Sequence, residues 1–223
     1  MMNRYNIFNQ IHKGLRVVLF ETATLIQQSD FRSKAASAAA IVKLQQTLGY
    51  FDGHAEHEHG YIFPLINKVN PTLVAEFDSE HETDEMLARQ MRELVSSWYN
   101  VEDGPLSWEI GRTILASFNE FIAFNLTHMN KEERVLNEVL WSYYSDHELM
   151  AVEQEIVASL PPELLFEESR FMMRGANDPE LLGWLGGMKA NAPAQVYELY
   201  LRMLDEEIAP ARSQALTREL ATA

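Results

Sequence analysis

The chain has 223 residues, 47% of them hydrophobic and 23% charged, with no cysteine and a net charge of −15. That is the composition of a folded protein able to bury a core without staples, and it excludes disulfides, thiolate metal sites and cysteine nucleophiles. Eighteen basic residues against thirty-three acidic ones, with no Lys/Arg cluster, argue against nucleic acid or anionic membrane as partners.

No apolar run approaches the ~20 residues of a membrane span, and the start MMNRYNIFNQ has no signal-peptide core, so a cytoplasmic location is expected. Helical periodicity runs throughout and strand alternation is missing, which predicts an all-α protein. A first helix is expected from about Asn3 to Gln28, with Phe8, Ile11, His12, Leu15, Leu19 and Ile26 on one stripe. A second runs from about Ser33 to Pro64, and Pro64 should bend or stop it just past Glu58. Gly53 should allow a neighbouring helix to come close.

Asn70-Pro71 reads as an N-cap followed by proline at the first helical position, which opens a third helix reaching about Tyr99. Asn100 to Gly104 is a turn, and Pro105 starts a fourth helix to about Tyr144. Four long helices with short connections predict an up-and-down four-helix bundle over residues 1–144. Residues 145–223 then form a helical extension expected to pack on it. Ser145 and Glu148 have capping-box spacing. Further starts fall at Leu160-Pro-Pro-Glu and Asp178-Pro-Glu, and Asn191-Ala-Pro precedes a last helix toward Leu220.

The seven histidines carry the chemistry. Each of the four bundle helices holds at least one, and His54, His81 and His128 are each followed four residues later by a glutamate: Glu58, Glu85 and Glu132. Residues i and i+4 share a helix face, so such a pair can point into one cavity. His54 continues a stripe with Leu44, Thr47, Phe51, Ile62 and Leu65; His128 continues one with Phe121, Phe124, Val135 and Leu136. A carboxylate drawn into a core is costly unless it binds a cation. Imidazole with carboxylate and no thiolate fits iron, manganese or zinc, and the number of ligands exceeds one tetrahedral zinc. Two ions with bridging carboxylates suit the set.

Read singly, any one of these histidines is an ordinary hydrogen-bonded core residue; the ordered set, one per helix, is what points to metal. Glu82 and Asp84 crowd the turn of Glu85. His57 and His59 lie off the His54–Glu58 line, facing solvent or supporting a ligand from behind, and His147 falls in the capping box. No phosphate-cradling glycine loop, G-x-S-x-G or dinucleotide fingerprint is present, which removes support for classical hydrolysis and nicotinamide chemistry.

The series His12, His54-x-x-x-Glu58, His81, His128-x-x-x-Glu132, in the strings FNQIHKGLR, HAEHEHGYIFP and HMNKEERVL, resembles the hemerythrin-like HHE cation-binding domain over about residues 5–144. The resemblance implies a non-haem di-iron centre that binds O₂, NO or peroxide. His12, His54, His81 and His128 would be terminal ligands, and Glu58 and Glu132 the bridges. Oxygen-carrying hemerythrins have a further histidine where this chain has Glu85, which makes the site more anionic and turns the expectation from oxygen carriage toward sensing, redox chemistry or iron handling. Three rivals follow. A di-iron oxidase or peroxidase would need a proton donor, with Tyr5, Tyr50 or Tyr61 as candidates. An interaction module would hold a structural metal. A metal-free helical scaffold would tolerate alanine at His54 or Glu132 with little change in stability. A homo-oligomer is compatible with any of them.

Overall fold

The computed structural model describes residues 4–222, and every regular element among them is helical. The chain divides into two compact units. The first comprises Val18–Ser159 with the N-terminal segment through Phe8; the second comprises Asn9–Val17 and the chain from Leu160 onward. The division falls after Ser159, and not at 144/145, because α7 (Asp146–Ser159) buries Leu149 among Phe63, Phe77, Leu136 and Leu140 of the first unit.

Helix α1 spans Asn9–Gln28, so the expected helix begins later than Asn3, which lies outside the described residues. Helix α2 covers Lys34–His57 and continues through a π-helical turn, Glu58–Ile62, into α3, Phe63–Asn67. Pro64 therefore does not end the helix. In α geometry its ring would strike the carbonyl of Gly60, and the wider turn, closed by Phe63 N–H to Glu58 C=O, makes room for it. Helix α4 spans Pro71–Asn100, with Asn70 Oδ1 accepting from the Leu73 amide as the N-cap. Helix α5, Pro105–Lys131, passes through a second π-helical turn, Glu132–Leu136, into α6, Asn137–Tyr143.

The buried stripe of α4 reads Leu73, Phe77, His81, Asp84, Ala88, Met91, Val95, Trp98, and that of α5 includes Ile114, Phe118, Phe121, Asn125 and His128. Steps of three and four keep each series on one face. Polar residues thus stand where the pattern calls for apolar ones. Near the far end, Gly111 faces Phe31, where any Cβ would come within 2.1 Å of the phenyl group. At Gly53, by contrast, a Cβ would meet nothing within 4 Å, so that glycine permits no close approach.

The N-terminal segment is tied down within the first unit. Arg4 pairs with Asp146 at 2.6 Å and donates to the carbonyls of Trp141 and Tyr144. Trp141 donates its indole N–H to the carbonyl of Tyr5, and the Tyr5 hydroxyl donates to Glu153. Ser145 and Glu148 make the reciprocal bonds of a capping box at the start of α7.

The second unit contains α8 (Pro162–Gly175), α9 (Asp178–Asn191), α10 (Ala194–Glu207) and α11 (Pro210–Thr222). The expected last helix is thus two, divided where Pro210 withdraws a backbone donor. Its core gathers Met173, Leu181, Leu185, Tyr200, Met203, Leu204, Leu216 and Leu220. Gly14 lets the first turns of α1 lie against α8, where a Cβ would stand 2.4 Å from Phe171. No helix among the described residues is long and apolar enough to cross a membrane.

Candidate metal centre

Helices α2, α4 and α5 deliver the polar cluster by register alone. His54 lies in the last turn of α2 and Glu58 opens the π-helical turn after it, His81 lies on the buried stripe of α4, and His128 and Glu132 hold the matching places at the end of α5 and the start of the second π-helical turn. Glu58, His81, His128 and Glu132 are all buried, Glu132 completely. His81 Nε2 lies 3.1 Å from Glu58 Oε2 and 3.7 Å from Glu132 Oε1. His128 Nε2 is 3.0 Å from Glu132 Oε1, and His54 Nε2 is 3.3 Å from Glu58 Oε1.

Two groups of four result: Glu58, His81, His128, Glu132, and His12, His54, Glu58, Glu132. Within each, one ligand atom per residue lies within 4.8 Å of all the others. The two groups share both glutamates. His12 itself is fully buried on α1.

These donors fit a cation better than they fit one another. Neither carboxylate oxygen of Glu58 makes a hydrogen bond, nor does Nε2 of His128, although all are buried and oppositely polar atoms stand close by. Short distances without hydrogen-bond alignment are what groups aimed at a shared third point produce. Electrostatics agree. Burial, then repulsion by Glu132, pushes the Glu58 carboxyl up to about 8 against the pull of His81 and His128. Burial alone would lower His81, but the adjacent Glu132 and Glu58 carboxyl groups outweigh it and raise the imidazole to about 10. His128 behaves alike, opposed by burial and raised by Glu132 to about 9. Cation binding would compete with protons for these same atoms.

Aromatic rings wall the cluster. Phe63 stacks on His81 at 5.2 Å and Phe124 on His128 at 5.7 Å, with Phe77 5.8 Å from His128. One turn from the two histidines, Asn125 donates to Asp84 at 2.6 Å, a buried pair joining α4 and α5.

Glu85 is exposed and belongs to neither group; its neighbour Asp84 is the buried carboxylate of that turn. A helical turn has one inward position here, and the stripe from Phe77 and His81 to Ala88 gives it to residue 84. His59 is exposed at the rim, with its Nε2 3.5 Å from His81 Nδ1. His57 lies near Tyr61, ring centroids 6.4 Å apart, and His147 is exposed beside the capping box. Tyr5 spends its hydroxyl on Glu153, while Tyr50 and Tyr61 are half-buried. Glu80, Asp84 and Asn125 are absent from the sequence-level set. Two of them were accessible to it, since Asp84 and Asn125 interrupt apolar stripes one turn from a histidine.

A family model described as the Hemerythrin HHE cation binding domain matches residues 3–148. No curated protein and no solved structure shows significant similarity to the chain.

Proposed function

The chain belongs to the hemerythrin HHE cation-binding family, and from that premise we propose that residues 3–148 form a four-helix bundle holding two iron ions for the binding or sensing of O₂, NO or peroxide. The observation that carries this reading is the sharing of Glu58 and Glu132 between two four-residue groups, each containing two histidines. A carboxylate with two oxygens placed between two such groups is suited to bridge a pair of ions ~3.5–4 Å apart. His12 and His54 would complete one ion, His81 and His128 the other. Iron suits this donor set because imidazole and carboxylate together hold both of its common oxidation states; manganese and zinc are the competing occupants.

When bound, an iron pair would supply open coordination positions and reversible electron transfer. The protein's own part is to hold the imidazoles in fixed orientations, to keep water from the cluster with Phe63, Phe77 and Phe124, and to give up imidazole protons as cations enter.

The test is elemental analysis with an absorption spectrum, on protein purified without a metal-affinity column. About two irons per chain, with charge-transfer bands that bleach on reduction, support the reading. Zinc at full occupancy would keep the ligands and end the redox assignment. No uptake of ferrous iron on reconstitution would overturn it.

A further inference from the structure

His81 and His128 each have a second ring nitrogen turned away from the glutamates. An imidazole that binds metal through Nε2 keeps its proton on Nδ1, and an acceptor there fixes both tautomer and ring orientation. For His128 the acceptor is Glu80, whose Oε2 lies 2.7 Å from Nδ1. The other oxygen of Glu80 is held by Lys131, which also reaches Glu76 at 2.6 Å and lies 4.7 Å from the centre of the Phe77 ring.

For His81 the neighbour is His59, its Nε2 3.5 Å from His81 Nδ1. His59 Nδ1 is 2.7 Å from the carbonyl of Ala55. A carbonyl can only accept, so His59 Nδ1 is a donor. Asp78 Oδ1, likewise an acceptor, lies 3.0 Å from Nε2, and a bond between them needs a proton on that nitrogen, which leaves no lone pair for His81.

We propose that Glu80, clamped by Lys131, is a positioning residue of the metal centre, a carboxylate support behind His128 that His81 lacks. The inference rests on the metal reading above. A carboxylate at 2.7 Å draws on the Nδ1 proton and enriches the ring; the His59 imidazole at 3.5 Å, its Nε2 turned to Asp78, does not. The two histidines are therefore unequal donors. A plain interhelical ion pair between α4 and α5 would account for Glu80 and Lys131 alone. It would not account for the second oxygen of Glu80 being spent on an inward-facing histidine.

The experiment uses the full chain stripped by a chelator and titrated anaerobically with cobalt(II) against a competing chromophoric chelator, for wild type, Glu80→Gln and His59→Gln. Wild type should take up about two equivalents. Glu80→Gln should weaken one of them about 10–100-fold and shift the visible cobalt bands, while the metal-free thermal midpoint stays at the wild-type value. His59→Gln should bind both equivalents as wild type does, and a loss there equal to that in Glu80→Gln would overturn the unequal support. Wild-type affinity and spectrum in Glu80→Gln would overturn the proposal, as would a loss mirrored by an equal drop in metal-free stability. A wild type that takes up no cobalt would overturn the metal reading as well, whereas two equivalents bound equally by wild type and Glu80→Gln would sink this inference alone.

Discussion

Glu58 and Glu132 hold the same place in two different helices: each follows a histidine by four residues and each is the first residue of a π-helical turn. Proline explains only one of these turns, since Pro64 follows Glu58 closely and the turn that Glu132 opens, EERVL, contains none. What the two share is the buried glutamate itself. A π turn releases a helix from strict α register for one residue, a device found at functional sites.

Replacing Glu58 by glutamine removes a buried carboxyl, and with it an anionic donor for a cation, without changing volume. Metal content should fall from about two equivalents to one or fewer. In chelator-stripped protein the thermal midpoint should hold or rise, because one of two facing buried carboxylates is gone. Elemental analysis and calorimetry on the same samples check both; full occupancy in the variant would remove Glu58 from the ligand set.

Glu168, in the second unit, is buried, and burial followed by the charge of Glu167 pushes its carboxyl up to about 7. The folded protein therefore binds this proton more tightly than the unfolded chain, whose carboxyl titrates near 4.3. The group costs nothing below the unfolded value, grows destabilising as pH rises through the window, and reaches its full effect above about 7. Glu168→Gln should match wild type near pH 4 and exceed it by about 2–3 kcal/mol at pH 8 in chemical denaturation. A difference independent of pH would contradict the assignment.

Gly111→Ala sets two effects against each other. Alanine favours the helix by roughly 1 kcal/mol. The new methyl, however, would stand 2.1 Å from Phe31, which is itself buried. Overpacking should win, with net destabilisation of about 1–3 kcal/mol. Shortening the partner in Gly111→Ala/Phe31→Leu should recover part of it, as thermal melts of the single and double variants would reveal.

Tyr5→Phe should cost about 1–2 kcal/mol, because it leaves a half-buried Glu153 carboxyl without its donor. Burial first, and then the Glu153 charge, hold the Tyr5 hydroxyl far above its ordinary range, so it donates at every working pH. Glu153→Gln keeps an acceptor and should cost less than half as much. Equal losses in the two variants would show that the bond contributes nothing beyond packing.

Much of the fold is legible in the sequence through periodicity and caps. The starts at Pro71, Pro105, Asp146 and Asp178 fall where proline, asparagine or a capping box forecasts them. The π turns are not legible, and they displace everything after them. An unbroken α register from Glu58 carries Leu65 inward, but the observed core residues are Ile62, Phe63 and Ile66. Past Glu132, Val135 is only half-buried while Leu136 and Leu140 are buried. The two His–Glu pairs of the cluster are readable because i, i+4 spacing lies ahead of each turn. The Glu80–His128 hydrogen bond is not, since it depends on how α4 sits against α5 and joins residues 48 positions apart.

Each π turn is also a spare residue. Removing one residue from between Glu132 and Asn137 would let the segment close as plain α-helix, so the deletion could be absorbed where it is made, with Leu140 and the start of α7 still reaching their places. Most helices answer a one-residue deletion by turning every later side chain through about 100°. Here each glutamate opens one of the two π-helical turns among the described residues, where length itself is adjustable.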